Sequence, residues 1–151
     1  MIGLTFSTKS LLKNNFSENK FFFQLDASFG RKTSNTNQSQ TQIKLNSHYI
    51  ININNKNSVF IRNESGLLDS KNLSTNELFR IGGANSIRGF NEESILTDKF
   101  SYLNLEYRFN SSKNSMIYSI FDIGNLSNEP NKTNTIYNLG IGFKLKTKAT
   151  T

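Results

Sequence analysis

Cysteine and tryptophan are absent from the 151 residues, and proline and histidine each occur once, as Pro130 and His48. Without cysteine there is no disulfide framework and no thiolate metal site. A lone histidine with no second ligand in view leaves no metal centre to assign, and no cofactor is expected. The near-absence of proline permits long extended segments, because proline removes a ladder hydrogen bond. No apolar run approaches the roughly 18–20 residues of a membrane helix. Eighteen Lys and Arg against eleven Asp and Glu give a net charge of +7, but no basic run or basic helical face collects it. The charge is read as solubilising, and nucleic acid is not expected as a partner. No G-x-S-x-G nucleophile elbow is present, so no catalytic residue is assigned and an enzyme is not expected. Met1 leads straight into IGLTFSTKS, which has neither the basic nor the apolar part of a secretory leader.

What the chain does have is thirteen Phe and five Tyr, arranged with Ile and Leu in period-two alternation and with no helical period. Ile2, Leu4 and Phe6 open the pattern. FFFQLDASFG sets Phe21, Phe23, Leu25, Ala27 and Phe29 against Phe22, Gln24, Asp26 and Ser28. Ile43, Leu45, Tyr49, Ile51 and Ile53 continue it, and a fourth segment runs from Val59 to about Gly66. Leu103, Leu105, Tyr107 and Phe109 then oppose Asn104, Glu106 and Arg108. Ile117, Phe121 and Ile123 oppose Tyr118, Ile120, Asp122 and Gly124. Last, Tyr137, Leu139, Ile141, Phe143 and Leu145 oppose Asn138, Gly140, Gly142, Lys144 and Lys146. The pattern predicts about seven antiparallel strands, each with one apolar and one polar face. They reach the roughly 9–11 residues that a tilted strand needs to cross a bilayer. Short polar turns are expected at Asn54–Ser58 and Asn110–Asn114, and longer loops at Arg31–Gln40, Leu67–Lys99 and Asn125–Asn134. Outer-membrane barrels show that short-long asymmetry. The fold class predicted is therefore all-β, an incomplete antiparallel transmembrane β-barrel with one long loop, occupying residues 1–151.

The loop's central stretch, Glu77 to Ser94, reads ELFRIGGANSIRGFNEES. Gly82, Gly83 and Gly89 punctuate it, while Ile87 and Phe90 make it too apolar to hang in water. Arg88 brings a rigid five-donor fork suited to a carboxylate. Taken alone, IRGF also reads as a surface loop with two glycine turns and a solvated arginine.

Within this frame the sequence resembles the bacterial surface-antigen superfamily of outer-membrane barrels. That superfamily holds the Bam-type assembly factor, the translocation-and-assembly-module barrel and the two-partner-secretion transporters. GGANSIRGF is similar to the (V/I)RGF/Y signature of their long sixth external loop. Glu106 in YLNLEYRF matches the acidic position of the following strand. Ile120-Phe121-Asp122-Ile123-Gly124 resembles the F-x-D-x-G of the strand after that, with Ile for Phe at its first position.

The resemblance implies a loop folded back into the lumen, with Arg88 meeting Asp122 and Glu106 on the wall beside Ile120 and Gly124. The bland alternatives are that Asp122 is one more lumenal polar residue and Glu106 a partner of a neighbouring cation. It also implies residence in the outer membrane of a Gram-negative bacterium, with that membrane's lipid around the barrel. The implied function is insertion of outer-membrane proteins or secretion of polypeptides. Its partners would be unfolded outer-membrane or secreted clients and possible accessory assembly proteins. A plain porin-like barrel, the barrel of a lipase-fused relative and a soluble all-β binding module are the competing readings. Family barrels close with about sixteen strands behind helper domains, so seven strands lead to the expectation of part of a larger gene product.

Overall fold

The computed structural model describes residues 2–11, 19–33, 37–129 and 132–146. Seven long strands form one sheet: β1 (Ile2–Leu11), β2 (Asn19–Thr33), β3 (Asn37–Asn52), β4 (Asn57–Ser70), β7 (Lys99–Asn110), β8 (Ser115–Glu129) and β9 (Lys132–Leu145). Neighbours in the chain are neighbours in the sheet, in the order β1-β2-β3-β4-β7-β8-β9, and every pair is antiparallel. Among the described residues the outer edges of β1 and β9 carry no partner strand. No helix forms there either.

Three connections differ from the sequence expectation. Arg31–Gln40 and Asn125–Asn134 are not long loops, because β2 runs to Thr33, β3 starts at Asn37, β8 runs to Glu129 and β9 starts at Lys132. β4 likewise continues past Gly66 to Ser70. Backbone pairing does not depend on side-chain polarity, so a ladder continues through Asn, Gln, Ser and Lys where the apolar alternation fades. The long loop itself contains a small hairpin, β5 (Phe79–Ile81) paired with β6 (Ile95–Thr97). Three-residue strands are too short to show a period.

The short turns are fixed locally. Asn54 accepts the backbone N–H groups of Lys56 and Asn57, each at 2.9 Å, which closes the β3–β4 turn. Register shifts interrupt the β1–β2 ladder between Ser10 and Leu11 and the β8–β9 ladder between Leu126 and Glu129. Between the pairs Leu105↔Phe121 and Arg108↔Tyr118 the β7–β8 pairing lapses. There the Tyr107 N–H donates to the Ser119 hydroxyl at 3.1 Å instead.

The two faces of the sheet differ in kind. One presents Ile2, Leu4, Phe6, Phe21, Phe29, Tyr107, Phe109, Ile117 and, on β9, Tyr137, Leu139, Ile141, Phe143 and Leu145 to the surroundings, and Ile141 is 84% exposed. The other carries the loop. Leu68, Phe100, Tyr102 and Leu126 of the wall and Phe79, Ile81 and Ile87 of the loop form one buried cluster. Phe79 stands edge-on to Phe100 at 5.1 Å, and Phe100 stacks on Tyr102 at 5.7 Å. The core of the molecule is thus the contact between a loop and one face of a sheet.

Candidate functional site

Glycines shape the approach of the loop. Gly82, Gly83 and Gly89 have φ of 111°, 99° and 86°, in the left-handed region where a Cβ is disfavoured. They let the chain reverse after β5, and the Gly83 N–H then donates to Ile87 O at 3.1 Å. Ile87 emerges from this turn fully buried and packs over Gly124. A Cβ at Gly124 would lie 2.6 Å from Ile87 Cδ1. The glycine therefore provides the hollow that Ile87 fills.

Arg88 is the next residue, and its receptor lies two positions back along β8, on the same face. The Asp122 carboxylate accepts Arg88 Nε–H and the Arg88 backbone N–H, both at 2.9 Å, and Arg88 Nη2–H as well. Arg88 Nη1 reaches Glu106 of β7. Glu106 is shared, since its other oxygen accepts Arg108 Nε–H at 2.7 Å. Asp122 has no exposed surface, while 15% of the Arg88 side chain is exposed. Burial works against the Arg88 charge, but hydrogen bonds to Asp122 and Glu106 outweigh it and hold the guanidinium more firmly protonated than usual. A planar fork filled by two carboxylates is an arrangement that lysine does not reproduce.

The remaining contacts follow a line across the wall. Arg62, Asn104, Asp122 and Asn138 face one another on β4, β7, β8 and β9. Arg62 donates to the Asn85 carbonyl. Asn104 Nδ2 donates to the Ser86 carbonyl at 3.0 Å. Asp122 takes Arg88, and Asn138 packs against Gly89, where an added Cβ would lie 2.8 Å from its side-chain oxygen. Each strand in turn holds the next part of the loop backbone. Arg62 is itself steadied by Glu64 at 2.8 Å and by the Tyr102 hydroxyl at 3.0 Å, and Tyr102 donates to Glu64 at 2.6 Å.

Of the residues singled out in the sequence, Gly82, Gly83, Ile87, Arg88 and Gly89 form the docked turn, with Glu106, Asp122 and Gly124 against it. Phe90 is 37% exposed and does not enter the buried cluster. Ile120 lies over Gly140 of β9. His48 stacks on Phe22 at 5.3 Å and lies 5.5 Å from the Phe60 ring. Arg62, Asn104, Asn138, Glu64 and Tyr102 were not singled out in the sequence. Their common signal is a shared face and register, and register is not visible before strands are paired.

An antiparallel sheet with one face apolar and exposed, and a glycine-turned loop clamped to the other by an arginine between two carboxylates, is an all-β wall of the kind an incomplete barrel would present. The family model described as haemolysin secretion/activation protein ShlB/FhaC/HecB matches residues 7–146. The chain belongs to that family, whose members are outer-membrane transporters of polypeptides in Gram-negative bacteria and not enzymes. Within the superfamily resemblance, this places the chain with secretion rather than with the assembly factors. No curated protein matches the chain.

Proposed function

We propose that the sheet is part of the wall of an outer-membrane barrel that passes secreted polypeptides, and that the loop is its docked inner element. The observation that carries the membrane reading is the slope of the apolar band. Leu25, Leu45, Ser65, Ser101, Asn125 and Thr135 lie directly opposite one another from β2 to β9. On β2 the outward apolar residues, Phe21 to Phe29, centre on Leu25. On β9 they run from Tyr137 to Leu145 and centre on Ile141, six residues beyond Thr135. Six residues are about 20 Å along a strand, and the five strand spacings between β2 and β9 are about 24 Å. The band therefore slopes at about 40° to the perpendicular of the strands, inside the 35–45° tilt of transmembrane barrels. The bands on β7 and β8, centred near Glu106 and Ile120, fall between. A soluble sheet covering a core gives no reason for a band displaced along the strands from one side of the sheet to the other, whereas a level bilayer crossed by tilted strands requires one.

Secretion is favoured over a plain pore by the clamped loop and by the family. Ions need no Arg88 clamp to pass. A loop held at four consecutive strands is suited to hold one side of the passage fixed while a chain moves past it. The test is reconstitution of the full-length protein in liposomes with an unfolded, protease-sensitive polypeptide supplied on one side. The polypeptide is expected to become protease-protected in step with time, and Arg88→Ala is expected to impair that transfer. Ion flux without any polypeptide transfer would leave the porin-like reading in its place.

A further inference from the structure

Among the described residues the hairpin inside the loop has no partner strand on either edge, and only the β5 edge faces a cavity. β5 pairs with β6 and with no other strand. The β6 side lies against the wall, where the buried Thr97 donates its hydroxyl to the carbonyls of Lys99 at 2.7 Å and Ser127 at 2.9 Å. The other edge of β5 borders a cavity of about 260 Å³, whose lining takes residues 76–81 of the loop and none of β6. Across it stand Gln42 and Lys44 of β3 and Glu64 of β4. Among the described residues no backbone group of Phe79, Arg80 or Ile81 bonds to any other segment than β6. An unpaired strand edge is a template for another strand.

We propose that this edge is a docking site for the transported polypeptide, which adds to the hairpin as a third, extended strand between β5 and β3. The inference rests on the secretion reading above and names where the client is held. Strand addition is recognised through the main chain, so it accepts many sequences in succession, which is what a long exported chain needs. The lining suits such a guest. Phe79, Ile81 and Phe100 border the cavity with their largely buried apolar side chains. Lys44 and Arg80 share the lining with Glu64, which also holds Arg62 and Tyr102, and Glu77, which also holds Ser74, and Gln42 offers an amide. The Lys44 ammonium sits over the Phe79 ring at 5.1 Å. Two cations alongside two carboxylates do not select a phosphate or a metal ion; they fit a neutral, amphipathic strand.

The experiment uses the full-length protein in planar bilayers, read by single-channel current. The probe is a peptide of about nine residues that alternates valine with serine or threonine. Its control is the same peptide methylated on alternate backbone nitrogens, which keeps the side chains but cannot complete a ladder. The unmethylated peptide is expected to block about tenfold longer per event, one decade in a dissociation constant. Gln42→Trp fills the cavity by a substitution outside the loop, and Arg80→Pro removes a backbone N–H of β5. Either is expected to shorten the block to that of the methylated control. Equal block times for the two peptides, or block times unmoved by Gln42→Trp, would overturn the docking site alone. A conducting channel that neither peptide enters would overturn the secretion reading and this inference with it.

Discussion

Truncating Arg88 is expected to release the loop and leave the wall standing. In Arg88→Ala the fully buried Asp122 loses both guanidinium hydrogen bonds and keeps the backbone N–H of residue 88 and the neighbouring Asn104 side chain. Glu106 fares better, because Arg108 still serves its second oxygen. Stripping a buried ion of its partner costs about 3–5 kcal/mol. The retained backbone bond and the partial exposure of the guanidinium point to the lower end, about 3 kcal/mol, or about 150-fold in the open population of the loop. Asp122→Ala leaves Arg88 with Glu106, so about 2 kcal/mol is expected from the charge-assisted bonds lost. The double variant is expected to be little worse than Arg88→Ala, since partners in one contact are not additive. The readout is hydrogen exchange over residues 79–97 of the full-length protein in lipid, with protease cleavage between Leu78 and Ser94 as a second measure. Exchange in β2 and β3 should not move. Two single effects that simply add, within about 0.5 kcal/mol, would refute the clamp.

Three further outcomes follow from the packing. Gly124→Ala puts a Cβ 2.6 Å from Ile87 Cδ1 and 3.1 Å from Tyr102 Cβ, and is expected to loosen the loop by about 1–3 kcal/mol. Ile87→Val in the same chain should recover part of that in the same exchange assay, and an unchanged loop would discard the hollow. Ser119→Ala removes the acceptor of the Tyr107 N–H, for an expected loss of about 1–3 kcal/mol. Urea unfolding of the full-length protein in lipid checks it, with Ser119→Thr, which keeps the hydroxyl, expected near neutral. Ile141→Arg places a charge at the centre of the β9 apolar band and should cost about 2–4 kcal/mol in a bilayer. Lys144→Gln on the opposite face should cost little, and equal effects in that unfolding assay would argue against lipid on one side.

The facing of the long strands was legible because it depends only on the parity of a residue along its strand. Leu139 and Asn138 part company without any knowledge of what lies beside them. Strand length was less legible, since the segments around Thr33–Asn37 and Glu129–Lys132 lack apolar alternation yet still pair. The hairpin β5–β6 left no trace because Phe79-Arg80-Ile81 holds too few residues for a period. Arg88 stood out by its glycine neighbour, whereas Arg62 and Asn104 looked like any other residues on a polar face.

What separates those two kinds of residue is pairing register. The four residue steps from Asn85 to Gly89 could reach about 13–14 Å at full extension, although the chain turns there. The three spacings from β4 to β9 are also about 14 Å, so a loop crossing the strands meets a new strand at nearly every residue. Arg62, Asn104, Asp122 and Asn138 can serve Asn85, Ser86, Arg88 and Gly89 only because pairing puts them in one line. A slip of one residue in the β7–β8 pairing would turn Asp122 to the apolar face and present Phe121 or Ile123 to Arg88. The docking site is therefore a property of four strands in register, and the glycine-flanked arginine is the part of it that a single segment of sequence carries.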